Sequence, residues 1–365
     1  MKKTEKPIHE NVFHFCKKGK LEKLKRMVCQ GANLFAKDKK SRNLLHIACS
    51  NGHLNIVKFL LENYDPGIIN KLNTPVEGGC SMLPIHFAAE SGNIELLRFL
   101  IEKIKLVPYF VSSEGCLMSH ACKSGNLKAV KYVHQTNGCT NAIAKMPLVR
   151  IFQSSNLEII KWAYNKIKKN NVNEQHWFGL TPLHYAVGFG NIDIVQWLVE
   201  KKTNLDMQCV NDFKRLNAPK PNFIFHEGCT PLHIACNYLR SNIIEYVVER
   251  GADVKITDAF GQTPLHLIYH HKNIIPFLIS YKNDVIPPSH VLQYITKMLI
   301  ASGSDVRAKT NKQLGNQTPI DYAQTVKEKL ENEFANLKHA TLDFKLAIEK
   351  LIRDMELRAT RHENI

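Results

Sequence analysis

The sequence predicts an all-α solenoid of about eight to nine irregular helix-pair repeats, with inserted loops and a C-terminal helical cap. Two observations predict it. The stretch Phe178-Gly-Leu-Thr-Pro-Leu-His184-Tyr-Ala-Val-Gly-Phe-Gly190-Asn-Ile-Asp-Ile-Val-Gln-Trp-Leu-Val-Glu200 opens with a turn glycine and Thr181-Pro182. It continues as a short helical pattern, breaks at Gly190 and resumes as a second apolar helix. The same order of signals returns at a regular interval: His86 to Ser119 and His233 to His266 each span thirty-three positions.

Taken in order, residues 1–38 read as a degenerate terminal repeat. Asn11 to Lys18 supplies one helix, Gly19 breaks it, and Leu21 to Gln30 supplies the second. Lysines crowd this end, either as a solvated cap or as a basic docking patch. Residues 39–205 hold the next units. The second unit runs from Asn43 through His46 and Gly52 to Leu61. Residues 64–79, with Asp-Pro-Gly, Asn-Thr-Pro and Gly-Gly, are expected to be an inserted loop. The third unit carries His86, the fourth has Ser119 in the histidine slot, and the weaker fifth has Val149 there.

The sixth unit is the stretch around His184, and an inserted basic and aromatic loop comes next at 206–227. Residues 228–323 resume the pattern. Thr230-Pro231-Leu-His233 is its clearest copy and Thr263-Pro264-Leu-His266 the next. Here an irregular insertion is expected over 273–288, before a helix from His290 to Ala301. Thr318-Pro-Ile-Asp321 opens a ninth unit, whose second helix is expected over Val326 to Leu337. Residues 324–365 are expected to form a helical cap or tail, with Leu342, Leu346, Leu351, Ile352 and Met355 at near-helical spacing.

These units resemble the ankyrin repeat family, whose pattern is Thr-Pro-Leu-His followed by paired helices. The fold expected from the resemblance is the ankyrin repeat solenoid. It also implies a structural role for Thr181, Pro182, Thr230, Pro231, Thr263 and Pro264, and for His46, His86, His184, His233 and His266. The histidines would tie neighbouring turns by hydrogen bonds. Buried histidines should be neutral, because a buried charge loses its hydration.

The chain has 365 residues, 44% hydrophobic, with a formal net charge of +16. That balance favours acidic proteins, nucleic acid or anionic membrane as partners. Ten cysteines without a Cys-x-x-Cys pair suggest reduced thiols rather than a disulfide framework. No apolar run reaches membrane-spanning length, and no conventional signal peptide is apparent. Histidines one repeat apart sit on successive layers, whereas zinc ligands converge on one atom at roughly 2 Å, so no metal or cofactor is expected. His270-His271 are neighbours on a helix and point apart. A Cys–His hydrolase using Cys80, Cys116 or Cys229 lacks a recognisable nucleophile motif or orienting group. No phosphate or dinucleotide loop is present, and an enzyme is not expected.

The expected function is that of a non-enzymatic scaffold or adaptor, binding a protein through its concave repeat surface and loops. Candidate contact residues are Trp177, Phe178, Phe213, Lys214, Arg215, Phe223 and Phe225 in or near the 206–227 insertion. The alternatives are a charge-driven nucleic-acid or anionic-membrane module. The expected partner is a protein with an acidic surface, and the chain itself is expected to be monomeric. The irregular units and Lys/Asn-rich texture resemble ankyrin proteins delivered by intracellular bacteria into host cells. A eukaryotic or viral adaptor has the same texture. Either reading implies cytosol, with the host nucleus open to a translocated protein.

Overall fold

The computed structural model describes residues 8–62, 66–76, 81–106, 116–136, 151–152, 156–166, 171–175, 179–210, 225–269, 288–333 and 340–361. The chain divides into two compact units, Met1–Asn170 and Asn171–Ile365. Each is an all-α stack.

In the first unit, α1 (Ile8–Lys17), α3 (Leu44–Ser50), α6 (Pro84–Ser91) and α8 (Leu117–Lys123) pack in succession as one layer. A second layer, α4 (Leu54–Glu62), α7 (Ile94–Arg98), α9 (Leu127–Gln135) and α10 (Leu157–Tyr164), runs behind it, and α2 (Leu21–Cys29) completes the first pair with α1. The core between layers is aliphatic: Leu44, Leu45, Ile56, Leu60, Leu96, Leu97 and Leu100 are buried.

One expectation is overturned here. Residues 64–79 are not simply a loop, because Pro66–Leu72 forms the helix α5. Pro66 occupies its first position, where a missing N–H costs nothing. Leu72 is buried at its end, and the Leu72 carbonyl accepts a hydrogen bond from Asn43 Nδ2 at 2.8 Å. The turn residues therefore delimit the helix.

A ladder of asparagines, missed in the sequence, joins the turns between paired helices. Asn93 Nδ2 donates to the Gly52 carbonyl, Asn126 to that of Gly92 and Asn156 to that of Gly125, at 2.8, 2.9 and 2.8 Å. The same side chains cap their own second helices: Asn93 Oδ1 accepts from Leu96 N–H and Asn156 Oδ1 from Glu158 N–H. His53 takes this place between the first two repeats, bonding the Lys17 carbonyl at 2.9 Å.

In the second unit α11 (Pro182–Phe189), α13 (Pro231–Asn237), α15 (Pro264–Ile268) and α17 (Pro319–Glu333) form the first layer. The layer behind consists of α12 (Ile192–Glu200), α14 (Ser241–Glu249) and α16 (Pro288–Ala301). At the turn after α11, Arg240 fills the position held elsewhere by asparagine. Gly190 has φ 76°, and a Cβ there would lie 2.6 Å from Arg240 Cζ. The left-handed backbone calls for glycine there, and the guanidinium of Arg240 covers it.

The ninth repeat departs from the expected pair. Pro319–Glu333 is one uninterrupted helix, with Ala323 and Val326 both buried, so no separate second helix begins at Val326. The run Ala323-Gln-Thr-Val-Lys-Glu-Lys-Leu-Glu contains no glycine or proline to break it. The helix α18 (Ala340–Arg361) packs on both α16 and α17 instead. It buries Ile348, Leu351, Ile352 and Met355, and Lys327 pairs with Glu349 at 3.1 Å. Leu346 faces outward, 51% exposed, despite its place in the apolar spacing.

Candidate recognition surface

The Thr-Pro-Leu-His residues are consumed in joining turns. Thr181 N–H donates to His184 Nδ1 at 3.0 Å, and the Thr181 hydroxyl lies 2.8 Å from the same nitrogen. The other ring nitrogen reaches the next repeat: His184 Nε2 is 3.1 Å from the Cys229 carbonyl, His233 Nε2 3.0 Å from that of Gln262, and His266 Nε2 3.2 Å from that of Gln317. With Nδ1 accepting, the proton sits on Nε2 and donates across the stack. Burial pushes His184, His233 and His266 down to about 4, so they are neutral near pH 7.

The variants of this slot reflect donor and acceptor arithmetic. At His46 the partner is Asn43, whose Oδ1 accepts from His46 N–H at 3.1 Å and also lies 2.8 Å from Nδ1. A threonine hydroxyl can accept from the backbone and donate to the ring; an amide oxygen can only accept. Burial nevertheless pushes His46 down to about 4. His86 Nδ1 accepts from Leu83 N–H at 2.9 Å. Ser119 turns back to the Cys116 carbonyl at 2.8 Å and does not extend the ladder. Asp321 reproduces the cap, accepting from Thr318 N–H and Oγ1 at 2.7 and 2.8 Å. It has no donor to send onward, so the turn-to-turn series ends there. His120, which carries no motif signal in the sequence, is buried and bonds Glu90 at 2.9 Å, with Lys123 at 3.3 Å from the same carboxylate. Burial opposes ionisation of Glu90, but these two partners prevail and hold it below its usual value.

In the second unit the loops between repeats also form a hydrogen-bonded row. Asp253 N–H donates to Asp206 Oδ1 at 2.9 Å, Gln208 Nε2 to the carbonyls of Gly228 and Thr257, Ala259 N–H to Glu227, and Asn311 N–H to Phe260. Side chains along each loop alternate. Ala252, Val254 and Asp258 are buried while Asp253, Lys255 and Thr257 are exposed; Ser304 and Val306 are buried while Asp305, Arg307 and Lys309 are exposed. The row is thus a braced edge on which exposed Lys255, Arg307 and Lys309 alternate with the exposed carboxylates of Asp253 and Asp305.

Asp258 is an incompletely satisfied member of the row. Oδ1 accepts from Phe260 and Gln262 N–H, both at 2.9 Å, but Oδ2 is buried without a hydrogen-bond partner. The equivalent Asp38 has Arg42, whose Nε and Nη2 donate to Oδ2 at 2.9 and 2.7 Å. Gln262 stands where Arg42 does and donates to Tyr322 OH instead. Burial raises Asp258 to about 6, above its unfolded value of about 3.9, so its contribution is complete below that lower value and is lost as pH rises through about 6. Gln262→Arg is expected to remove this loss. Urea unfolding at several pH values should show the variant's gain, about 2 kcal/mol above pH 6, shrinking as pH falls.

Of the residues proposed for contact, Trp177, Phe178, Phe213, Lys214, Arg215 and Phe223 lie outside the described residues, as do Cys80, Val149, His270 and His271. Phe225 is half-buried at the returning end of the insertion. The strand-like base of that insertion is held at Cys209, which pairs with Gly228 and Cys229. Among the described residues, no group of three or more His, Cys, Asp or Glu is placed to hold a metal ion, and no helix is long and apolar enough to cross a membrane.

Comparison with known proteins agrees with this architecture. Models of ankyrin repeats match residues 12–108 and 117–211 (the three-copy model) and 226–268 (the many-copy model). The chain is 41% identical over 159 residues to an ankyrin repeat protein of fowlpox virus (strain NVSL), covering 43% of this chain and 83% of that protein. It is 27% identical over 163 residues to one from Acanthamoeba polyphaga mimivirus, covering 45% of this chain and 23% of that protein. With a palmitoyltransferase of Homo sapiens it shares 26% identity over 204 residues, covering 53% of this chain and 30% of the human protein. It therefore spans under a third of the mimivirus and human relatives. The motif histidines, the stacked helix pairs and these matches agree: the chain belongs to the ankyrin repeat family.

Proposed function

We propose that this ankyrin-repeat interaction module is a non-catalytic adaptor that holds a protein with an acidic surface along its braced loop row. The observation that carries the reading is the alternation in those loops. Buried residues fix the backbone, while Lys255, Thr257, Arg307 and Lys309 are exposed on an edge already ordered by hydrogen bonds. An ordered edge loses little freedom on binding. Lys255 and Lys309 complement carboxylates and steer encounter, while Arg307 also lies 3.8 Å from Asp305 on the same edge. The two described ends of the 206–227 insertion, which carries Phe213, Lys214, Arg215 and Phe225, are bonded into the same row at Gln208 and Glu227.

The test is affinity capture from eukaryotic lysate at low salt and at roughly 0.3 M, where long-range attraction is screened. Lys255→Glu/Arg307→Glu reverses the row and Lys214→Glu/Arg215→Glu reverses the insertion. Lys297→Glu, on an exposed position of α16, is the control. One protein should survive high salt, be lost with the loop-row reversal and be kept by the control. Capture unchanged in both loop variants would refute the reading. So would recovery of only nucleic acid or salt-labile acidic proteins.

A further inference from the structure

We propose that Cys209 and Cys229 are a reversible dithiol–disulfide pair, whose oxidation ties together the two ends of the insertion spanning residues 210–228. The backbone brings them together. Cys209 N–H donates to the Cys229 carbonyl at 2.9 Å, and Gly228 N–H donates to the Cys209 carbonyl at 2.8 Å. This sets two residues opposite one, with Gly228 at φ 79° in the left-handed position that such a bulge requires. A Cβ at Gly228 would lie 2.8 Å from Ala259 N, so the position is closed to other residues.

The side chains complete the arrangement. Both cysteines are free and buried. His226 brackets the pair: its carbonyl accepts from Cys209 Sγ at 2.9 Å, and its N–H donates to Cys229 Sγ at 3.4 Å. Other buried thiols serve as space-filling helix residues, as with Cys49, Cys122 and Cys236 inside α3, α8 and α13. Cys209 and Cys229 instead lie on two extended segments bonded to each other, the setting in which cross-linking needs little backbone movement.

The oxidant is a low-molecular-weight disulfide such as glutathione disulfide. The Cys209 thiolate attacks one of its sulfurs, forming a mixed disulfide and releasing one glutathione thiolate. Cys229 then passes its proton to the departing glutathione sulfur as it attacks the Cys209 sulfur, releasing the second glutathione as a thiol. Two protein thiols are oxidised, one glutathione disulfide is reduced to two thiols, and a reducing thiol reverses the exchange. The pairing stands whether or not the insertion contacts a partner.

The full-length chain is exposed to glutathione disulfide in native buffer. Remaining thiols are then alkylated in denaturant, and tryptic peptides are compared before and after reduction. Exposed Cys29 serves as the internal control for oxidant activity. Trypsin cuts at Lys214, Arg215 and Arg240, so the expected product is two peptides that separate on reduction, with fragmentation placing the bridge at Cys209 and Cys229 and the alkyl group on Cys236. Cys29 bearing glutathione while Cys209 and Cys229 are both alkylated would overturn the proposal. Separate glutathione adducts on the two, a bridge from either to another cysteine, or a bridge formed only after unfolding would do so as well.

Discussion

Lowering the pH from about 7 to about 5 is expected to strip most of the stability from the second unit. His184, His233 and His266 are held near 4 by burial, against about 6.5 when unfolded. Because the folded values are depressed, the stabilisation is complete above the unfolded value and is lost as pH falls towards the folded one. Each tenfold displacement of a proton equilibrium is worth about 1.4 kcal/mol. At about pH 5 the three rings together cost on the order of 6 kcal/mol, a large part of a domain's usual ~5–15 kcal/mol. Asp258 opposes the trend, but it is one group against three. Denaturant midpoints followed by circular dichroism should fall steeply over this range. An unchanged midpoint would mean that the rings are not buried neutral donors.

Truncating either motif leucine comes next in size. Leu183 and Leu232 are 0% and 1% exposed at the start of α11 and α13. Leu183→Ala or Leu232→Ala should each cost about 2–5 kcal/mol, because both lost transfer energy and a residual cavity count. Leu346→Ala and Leu357→Ala, at positions 51% and 57% exposed, should stay within about 0.5 kcal/mol. Equal effects at buried and exposed sites would contradict the stacking.

The contrast also marks what was legible in the sequence. Helix pairs announce themselves because threonine–proline starts them and glycine stops them, so the fold class was readable from 178–200 and 228–266. Pro66–Leu72 was not, since Pro-Gly is a turn signal locally and only the docking of Leu72 behind Asn43 holds the segment as a helix. The asparagine ladder is a single residue per repeat whose second bond crosses more than thirty positions, and composition carries no trace of it. Leu346 fits the spacing of the final helix, yet which face is covered depends on α16 and α17. For the proposed recognition edge, the sequence pointed to the insertion. The braced loop row beside it rests on backbone bonds such as Ala259 to Glu227 and Asn311 to Phe260, and on single side chains, Asp206 and Gln208, that mark no pattern in the sequence.

The repeat histidines are spent on stacking, and the proposed adaptor reading assigns recognition to the loop edge instead. Long-range ¹H–¹⁵N spectra of the imidazoles, recorded from about pH 7.5 down to about 5.5, test this directly. His184, His233 and His266 should appear as neutral rings protonated at Nε2, with shifts that do not move while the protein stays folded. Rings that titrate near ~6.5 in the folded state, or that carry the proton on Nδ1, would contradict it.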